Sequence, residues 1–307
     1  MMMKNDADII VEYTSSFVRR SDYRDLAEKA LAVCAEYGFK FGIQVHNTAD
    51  FPELEKAAAL NVPMTFHAPV LCDYQINLAA SDFAPAMNSL KITAEYMRKY
   101  NVAKAVFHGF NMTDVPIPSF GRGLDYVKAF GPAMRRELCL DGTFLCNDFI
   151  GTPEYKMRFE RVVERLAWMK KEYPDLEFLI ENDFPSFGAG SLFADFAAGL
   201  DNPVCLDVSH LWAAAFILDR DYFTEAEAFL KNGNVRMLHL HASPYTSSVP
   251  KHKWSDGHMS LLTPNKMDLP RLVSLCGKYN VKHYVLEIIE TLSERDINAF
   301  ACMFNGE

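Results

Sequence analysis

The residues of this 307-residue chain that are equipped for chemistry are histidines and carboxylates placed at the ends of short apolar runs. Val204-Cys-Leu-Asp207-Val-Ser-His210-Leu-Trp212 is the plainest case, an apolar run that delivers Asp207 at its exit and His210 three residues on. The same arrangement puts His67, His108, Glu181, His239 and Glu287 at the ends of other apolar runs, with Asp256 and His258 just beyond one. Each has a bland reading when taken singly. A strand-end histidine is a satisfied hydrogen-bond partner, Glu287 pairs with a lysine, Asp207 or Glu181 caps a helix, and Asp256-Gly-His258 is a turn. Together they share one problem, because four carboxylates buried side by side without cations cost many kcal/mol or are forced to protonate. Divalent metal is the simplest neutraliser. A His/Asp/Glu set without cysteine suits zinc, manganese or iron. Five histidines and four carboxylates exceed the needs of one ion, so two or three ions are expected, zinc first among the candidates.

Such residues meet only if the elements bring them together. Apolar runs that read as strands occur at 7–13, 41–45, 63–66, 103–107, 177–180, 204–206, 235–240 and 283–286. Helical patterns occupy 23–37, 51–60, 82–100, 154–172, 191–200, 224–231, 269–279 and 294–299. This alternation, without a solenoid repeat or a Ser/Gly linker, predicts an α/β fold, a (β/α)8 TIM barrel wound by right-handed crossovers. One domain spanning 1–307 is sufficient, with the Gly-, Pro- and aromatic-rich stretch 110–152 as a long insertion after the fourth strand, over the barrel mouth. In that fold the C-terminal ends of the strands converge on one face whatever their sequence separation. His239 and His241 alternate onto the same face, so either could be the seventh-strand ligand.

Half of the residues are hydrophobic and 23% are charged, which supplies a sizeable core and argues against disorder. The net charge of −9 and the lack of a Lys/Arg stripe give a nucleic-acid partner no support from charge. The seven cysteines include no Cys-x-x-Cys and read as reduced thiols. No apolar run approaches the ~18 residues of a membrane span, and no h-region follows the first methionines. The expectation is a soluble, cytoplasmic protein with no membrane partner.

At these residues the chain resembles the xylose-isomerase-like TIM-barrel superfamily and, within it, the endonuclease IV family of zinc-dependent abasic-site endonucleases (AP endonuclease family 2). The resemblance spans most of the barrel. It rests on His67-Ala-Pro69 with Ile76-Asn-Leu-Ala79, Phe107-His108-Gly109, Glu181-Asn182, Cys205-Leu-Asp207-x-x-His210 with Ala213-Ala214, His239-Leu240, Asp256-x-His258 and Leu286-Glu287, in family order. It implies three clusters: His67, His108 and Glu181 at one ion; Glu181 (bridging), Asp207, His239 and Glu287 at a second; His210, Asp256 and His258 at a third. The superfamily's sugar isomerases and epimerases use only the Glu181, Asp207, His239 and Glu287 set. The chain departs from the endonuclease pattern at Gly109-Phe-Asn111, at Ala242, at Ser260-Leu-Leu-Thr-Pro264, and in the added length between His108 and Glu181. That added segment carries Arg122, Arg135 and Arg136 and reads either as a packed excursion or as a substrate lid, which would obstruct a DNA duplex.

The full ligand set implies a metal-dependent phosphoesterase of the endonuclease IV type, a hydrolase working through metal-bound hydroxide. The alternative is a sugar or sugar-phosphate isomerase or epimerase, in which Glu181 and Glu287 carry protons. A barrel that keeps metal but serves only as a binding module is the third reading. The expected partner is a small-molecule or phosphoester substrate.

Overall fold

The computed structural model describes residues 9–121, 123–289 and 292–306. Eight parallel strands close into a barrel in sequence order: β1 Ile10–Thr14, β2 Lys40–Val45, β3 Met64–Ala68, β4 Lys104–Phe107, β5 Glu177–Glu181, β6 Val204–Asp207, β7 Val235–Leu240 and β8 His283–Leu286. Closure is made by β8 pairing back to β1, with Ile10 opposite His283 and Tyr13 opposite Leu286. The helices are α1 Tyr23–Glu36, α2 Phe51–Ala58, α3 Ala84–Lys99, α4 Tyr126–Phe130, α5 Pro153–Glu172, α6 Ala194–Ala198, α7 Val208–Ile217, α8 Tyr222–Asn232, α9 Leu269–Lys278 and α10 Glu294–Asn305. No helix among the described residues is long and apolar enough to cross a membrane.

Alternation along each strand divides the core in two. Side chains pointing outward join the helices in the main apolar shell. Those pointing inward stack in layers, as barrel interiors do. The middle layer is a separate apolar cluster of Val106, Leu179, Cys205, Met237 and Val285. Above it, at the C-terminal ends, every inward position is polar.

All eight expected strands are present, shifted at most a few residues; positions 7 and 8 of the first lie outside the described residues. Three helices differ from expectation. The stretch 191–200 is helical only at α6, α10 runs on to Asn305, and α7 follows β6 without a loop. Helix α7 is buried nearly all round, because Ala213 and Ile217 on its outer side pack against Leu145, Phe184 and Trp254. Its sequence therefore shows no polar face and no helical period.

The insertion contains α4 and short 3-10 turns, and it has its own small core of Ile117, Ala129, Phe130 and Ala133 closed by Phe187. It packs on the loops that follow β2, β3 and β5. Gly121 sits against Thr48 in the β2–α2 loop, so close that a Cβ would lie 2.6 Å from the Thr48 Cβ. Pro118 bridges to Tyr74 after β3, and Leu145 bridges to Ser186 after β5. Its base is clamped by Arg158, which binds Asp114 through both terminal nitrogens and Glu154 through Nε. Arg135 is tied to Glu137, Glu154 and the Met112 carbonyl, and so is not a free cation; Arg136 is exposed, and Arg122 lies outside the described residues.

Candidate metal centre

The structure brings all nine sequence-selected residues to the C-terminal mouth. Glu181 is central and fully buried. Its Oε1 lies 2.7 Å from His239 Nδ1, and its Oε2 lies 3.3 Å from His67 Nε2 and 3.7 Å from His108 Nε2. Glu287 stands on the other side, with Oε2 3.2 Å from His239 Nδ1 and Oε1 3.7 Å from His67 Nε2. Asp256 Oδ2 sits between two imidazoles, 2.7 Å from His210 Nε2 and 2.8 Å from His258 Nε2.

Asp207 combines two of the readings its position allows. Its Oδ1 caps α7, accepting the backbone N–H groups of Ser209 at 2.8 Å and His210 at 2.7 Å. Its Oδ2 faces the cluster and lies 2.9 Å from His241 Nε2. The cap thus fixes the carboxylate and, through the first turn of α7, His210. Asn182 holds this strand end to the next by exchanging two hydrogen bonds with the Asp207 backbone.

Asp256 and His258 reach the cluster because Gly257 lies flat on the end of β7. A Cβ there would meet the Ala242 carbonyl oxygen at 2.5 Å and the Ser243 Cα at 2.9 Å. The turn and the site are one feature.

Three further residues join them. His241 is fully buried, stacks on His258 with ring centroids 4.5 Å apart, and accepts the His258 backbone N–H at Nδ1, 2.8 Å. Because that nitrogen accepts, the ring proton sits on Nε2, which donates to Asp207. Asp183 lies 3.4 Å from His108 Nδ1, and Asn47 Nδ2 lies 3.3 Å from His67 Nδ1. Asp183 follows Glu181 by two residues, and that same-face spacing was its sequence signal. Asn47, in a loop, gave none. Of the two histidines without an expected role, His46 lies at the mouth, its ring centroid 5.7 Å from that of His67, and burial followed by His67 pushes it down to about 3. His283 is at the opposite end of the barrel.

The electrostatics follow from crowding. Burial would raise the carboxyls of Glu181, Asp256 and Glu287, but the imidazoles overrule it and hold all three well below the usual range: His239 and His108 for Glu181, His210 and His258 for Asp256, His239 and His258 for Glu287. Burial likewise opposes charge on the histidines. It loses to Asp207 and Asp256 at His210, and to Asp256 and Glu287 at His258, which is raised to about 10. His239 is held well above its ordinary value, with Cys205, Glu181 and Glu287 outweighing burial. These three carboxylates therefore stay ionised, each faced by at least two imidazoles.

The donor set fits divalent cations. Glu181 Oε2, Glu287 Oε2, Asp256 Oδ1, His108 Nδ1 and His239 Nε2 are buried without a hydrogen-bond partner. Such orphaned groups are rare unless an ion or water satisfies them. Ligand atoms of His67, His108 and Glu181 lie within 4.8 Å of one another, as do those of His67, His239 and Glu287, and those of Asp207, His210 and His241. None of the seven cysteines is in a disulfide, and burial pushes the Cys205 thiol, just beneath the cluster, up to about 12.

The fold and this mouth define the class: a (β/α)8 barrel with a buried histidine–carboxylate cluster at the C-terminal ends of its strands. No protein-family profile and no curated protein sequence matches the chain. Among solved structures it is similar to a D-tagatose 3-epimerase-like protein, with a TM-score of 0.59 at 10% identity over 96% of this chain and 98% of that one. The catalytic domain of the beta-amylase from Paenibacillus polymyxa aligns with a TM-score of 0.48 at 10% identity, over 98% and 99% of the two chains. At that identity the epimerase-like neighbour shows a shared barrel fold.

Proposed function

We propose that this chain is a divalent-metal-dependent enzyme acting on a small, oxygen-rich substrate, and that it isomerises or epimerises a sugar or sugar phosphate by moving a proton at carbon. The observation that carries the reading is the opposed pair Glu181 and Glu287. They stand at the end of β5 and just past β8 and flank His239 Nδ1 at 2.7 and 3.2 Å. Each is buried, is held ionised, and keeps one oxygen that accepts no hydrogen bond. Two carboxylates facing one point from different strands suit the task of taking a proton from one side of a carbon and returning it.

A divalent ion held by Glu181, Asp207, His239 and Glu287 would supply the Lewis acidity that polarises the substrate carbonyl. Zinc is the first candidate, with manganese and iron behind it. The chain's residues do the rest. His241 and the α7 amides orient Asp207, while Asp183 and Asn47 steady His108 and His67. Segment 110–152 excludes water and limits substrate size. Of the two β7 imidazoles we assign the ligand role to His239, because both His241 nitrogens are committed to protein groups. The name of the epimerase-like neighbour agrees with this reading in kind.

A second reading, phosphoester hydrolysis of the endonuclease IV type, is favoured by the His210–Asp256–His258 group, which the isomerase reading leaves without a task. A lid across the mouth and a net charge of −9 weigh against a DNA duplex as its substrate. One experiment separates the two. Metal-loaded protein is incubated in heavy water with a panel of ketoses and ketose phosphates, and separately with an aryl phosphate and an abasic-site duplex, each with and without chelator. Chelator-sensitive solvent deuterium at carbon supports the first reading. Hydrolysis without deuterium supports the second, and neither activity sinks both.

A further inference from the structure

The other end of the barrel also carries a cavity, of about 640 Å³, floored by the first residues of five strands: Ile10, Lys104, Glu177, Val235 and His283. Residues 231–236, across the α8–β7 junction, and 279–282, between α9 and β8, form its walls and bring Lys231, Arg236 and Lys282 to it. We infer that this cavity is a second binding site, for a small phosphorylated polyanion, separate from the mouth and independent of the reaction performed there.

Charge is the first support. In a chain of net charge −9, four cations line this cavity against one carboxylate, Glu177, and Glu177 is already paired with Lys104 at 3.4 Å. Lys231, Arg236 and Lys282 have no carboxylate within ion-pair distance among the described residues; Arg236 Nε donates only to the Asn234 side chain. Unpaired cations sharing one concavity set up a focused positive potential. The second support comes from the floor. His283 is only 5% exposed, yet neither of its ring nitrogens has a hydrogen-bond partner among the described residues. Its Nε2 lies 3.3 Å from the buried Glu12 carboxylate. A buried polar side chain at the base of a cation-lined cavity is a feature that solvated surface lysines alone do not produce. Size is the third support, since the volume lies in the range of small-molecule sites and exceeds what a single inorganic ion fills.

Pyrophosphate is the probe, titrated calorimetrically into protein stripped of metal by chelator, so that the mouth cannot supply a metal–phosphate contact. One equivalent is expected to bind, with affinity falling as salt is raised. In the double variant Lys231→Glu/Lys282→Glu the affinity is expected to fall at least about tenfold, with the metal content on reloading unchanged. Pyrophosphate should also protect Lys231 and Lys282 of the wild-type protein from acetylation, a readout that needs no variant. Failure of the stripped wild type to bind, binding that the double variant retains, or acetylation unaffected by the probe would overturn the site.

Discussion

The assignment of His239 rather than His241 as the metal-facing imidazole can be tested by removing each in turn. His241→Ala deletes one hydrogen bond to a charged acceptor, Asp207 Oδ2 at 2.9 Å, and one from the His258 backbone at 2.8 Å. A hydrogen bond to a charged group contributes about 1.5–3 kcal/mol. Loss of a group that orients a ligand typically weakens metal affinity about 10- to 100-fold. The variant should therefore bind the wild-type number of ions, more weakly by roughly that factor. His239→Ala removes a nitrogen that faces both Glu181 and Glu287 and leaves those carboxylates without their nearest cationic partner. It should lose at least one ion outright. Competition against a chromophoric chelator gives the affinity, and elemental analysis gives the count. If His241→Ala loses an ion while His239→Ala keeps the full complement, the assignment is reversed and the hydrogen-bond argument behind it is wrong.

Other outcomes follow from the same geometry. Glu181→Gln should reduce the ion count and abolish turnover, since it removes the charge that His67, His108 and His239 surround; a fully loaded, active variant would contradict its central role. In metal-free protein the raised imidazoles stabilise the fold below their ordinary value of about 6.5. That contribution should fade as pH rises, through about 10 for His258. The lowered carboxylates stabilise it above about 4 and lose their contribution as pH falls. Denaturant melts across pH should show the alkaline loss only with chelator present, because metal holds the imidazoles unprotonated; identical profiles would refute the linkage. Gly257→Ala must push the Asp256–His258 segment off the end of β7, at a cost of about 1–3 kcal/mol, and should empty the His210–Asp256–His258 position before the others in a metal titration. Arg158→Ala leaves Asp114 and Glu154 facing each other at the base of the insertion. Because Asp114 is half-exposed, the cost should be only about 1–3 kcal/mol in a thermal melt. No change would mean that the clamp is incidental.

The barrel was legible because a parallel strand buried on both faces reads as a short apolar run, and eight such runs alternate with amphipathic helices. Helix α7 escaped because Leu145 of the insertion, with Phe184 and Trp254, covers the side that would otherwise be polar, which erases the period on which helix reading depends. The site was legible for a related reason: strand ends converge by topology, so residue type at a strand end nominated six residues, with His210, Asp256 and His258 just beyond. Their partners were harder to see. His241 shares the face of His239, and sequence could not say which ring is free; only the hydrogen bonds to Asp207 and His258 separate them. The insertion could not be chosen as lid or excursion from its arginines. Gly121 against Thr48 and Leu145 against Ser186 tie it to the loops after β2 and β5, contacts with no local signature.

The account rests on cations being what these buried carboxylates are built to hold, and native mass spectrometry of untreated and zinc-reloaded protein measures that directly. Two or three divalent ions per chain, released by chelator and reduced in number by Glu181→Gln, is the expected result. A reloaded chain that carries no bound ion, with its fold intact, would contradict it.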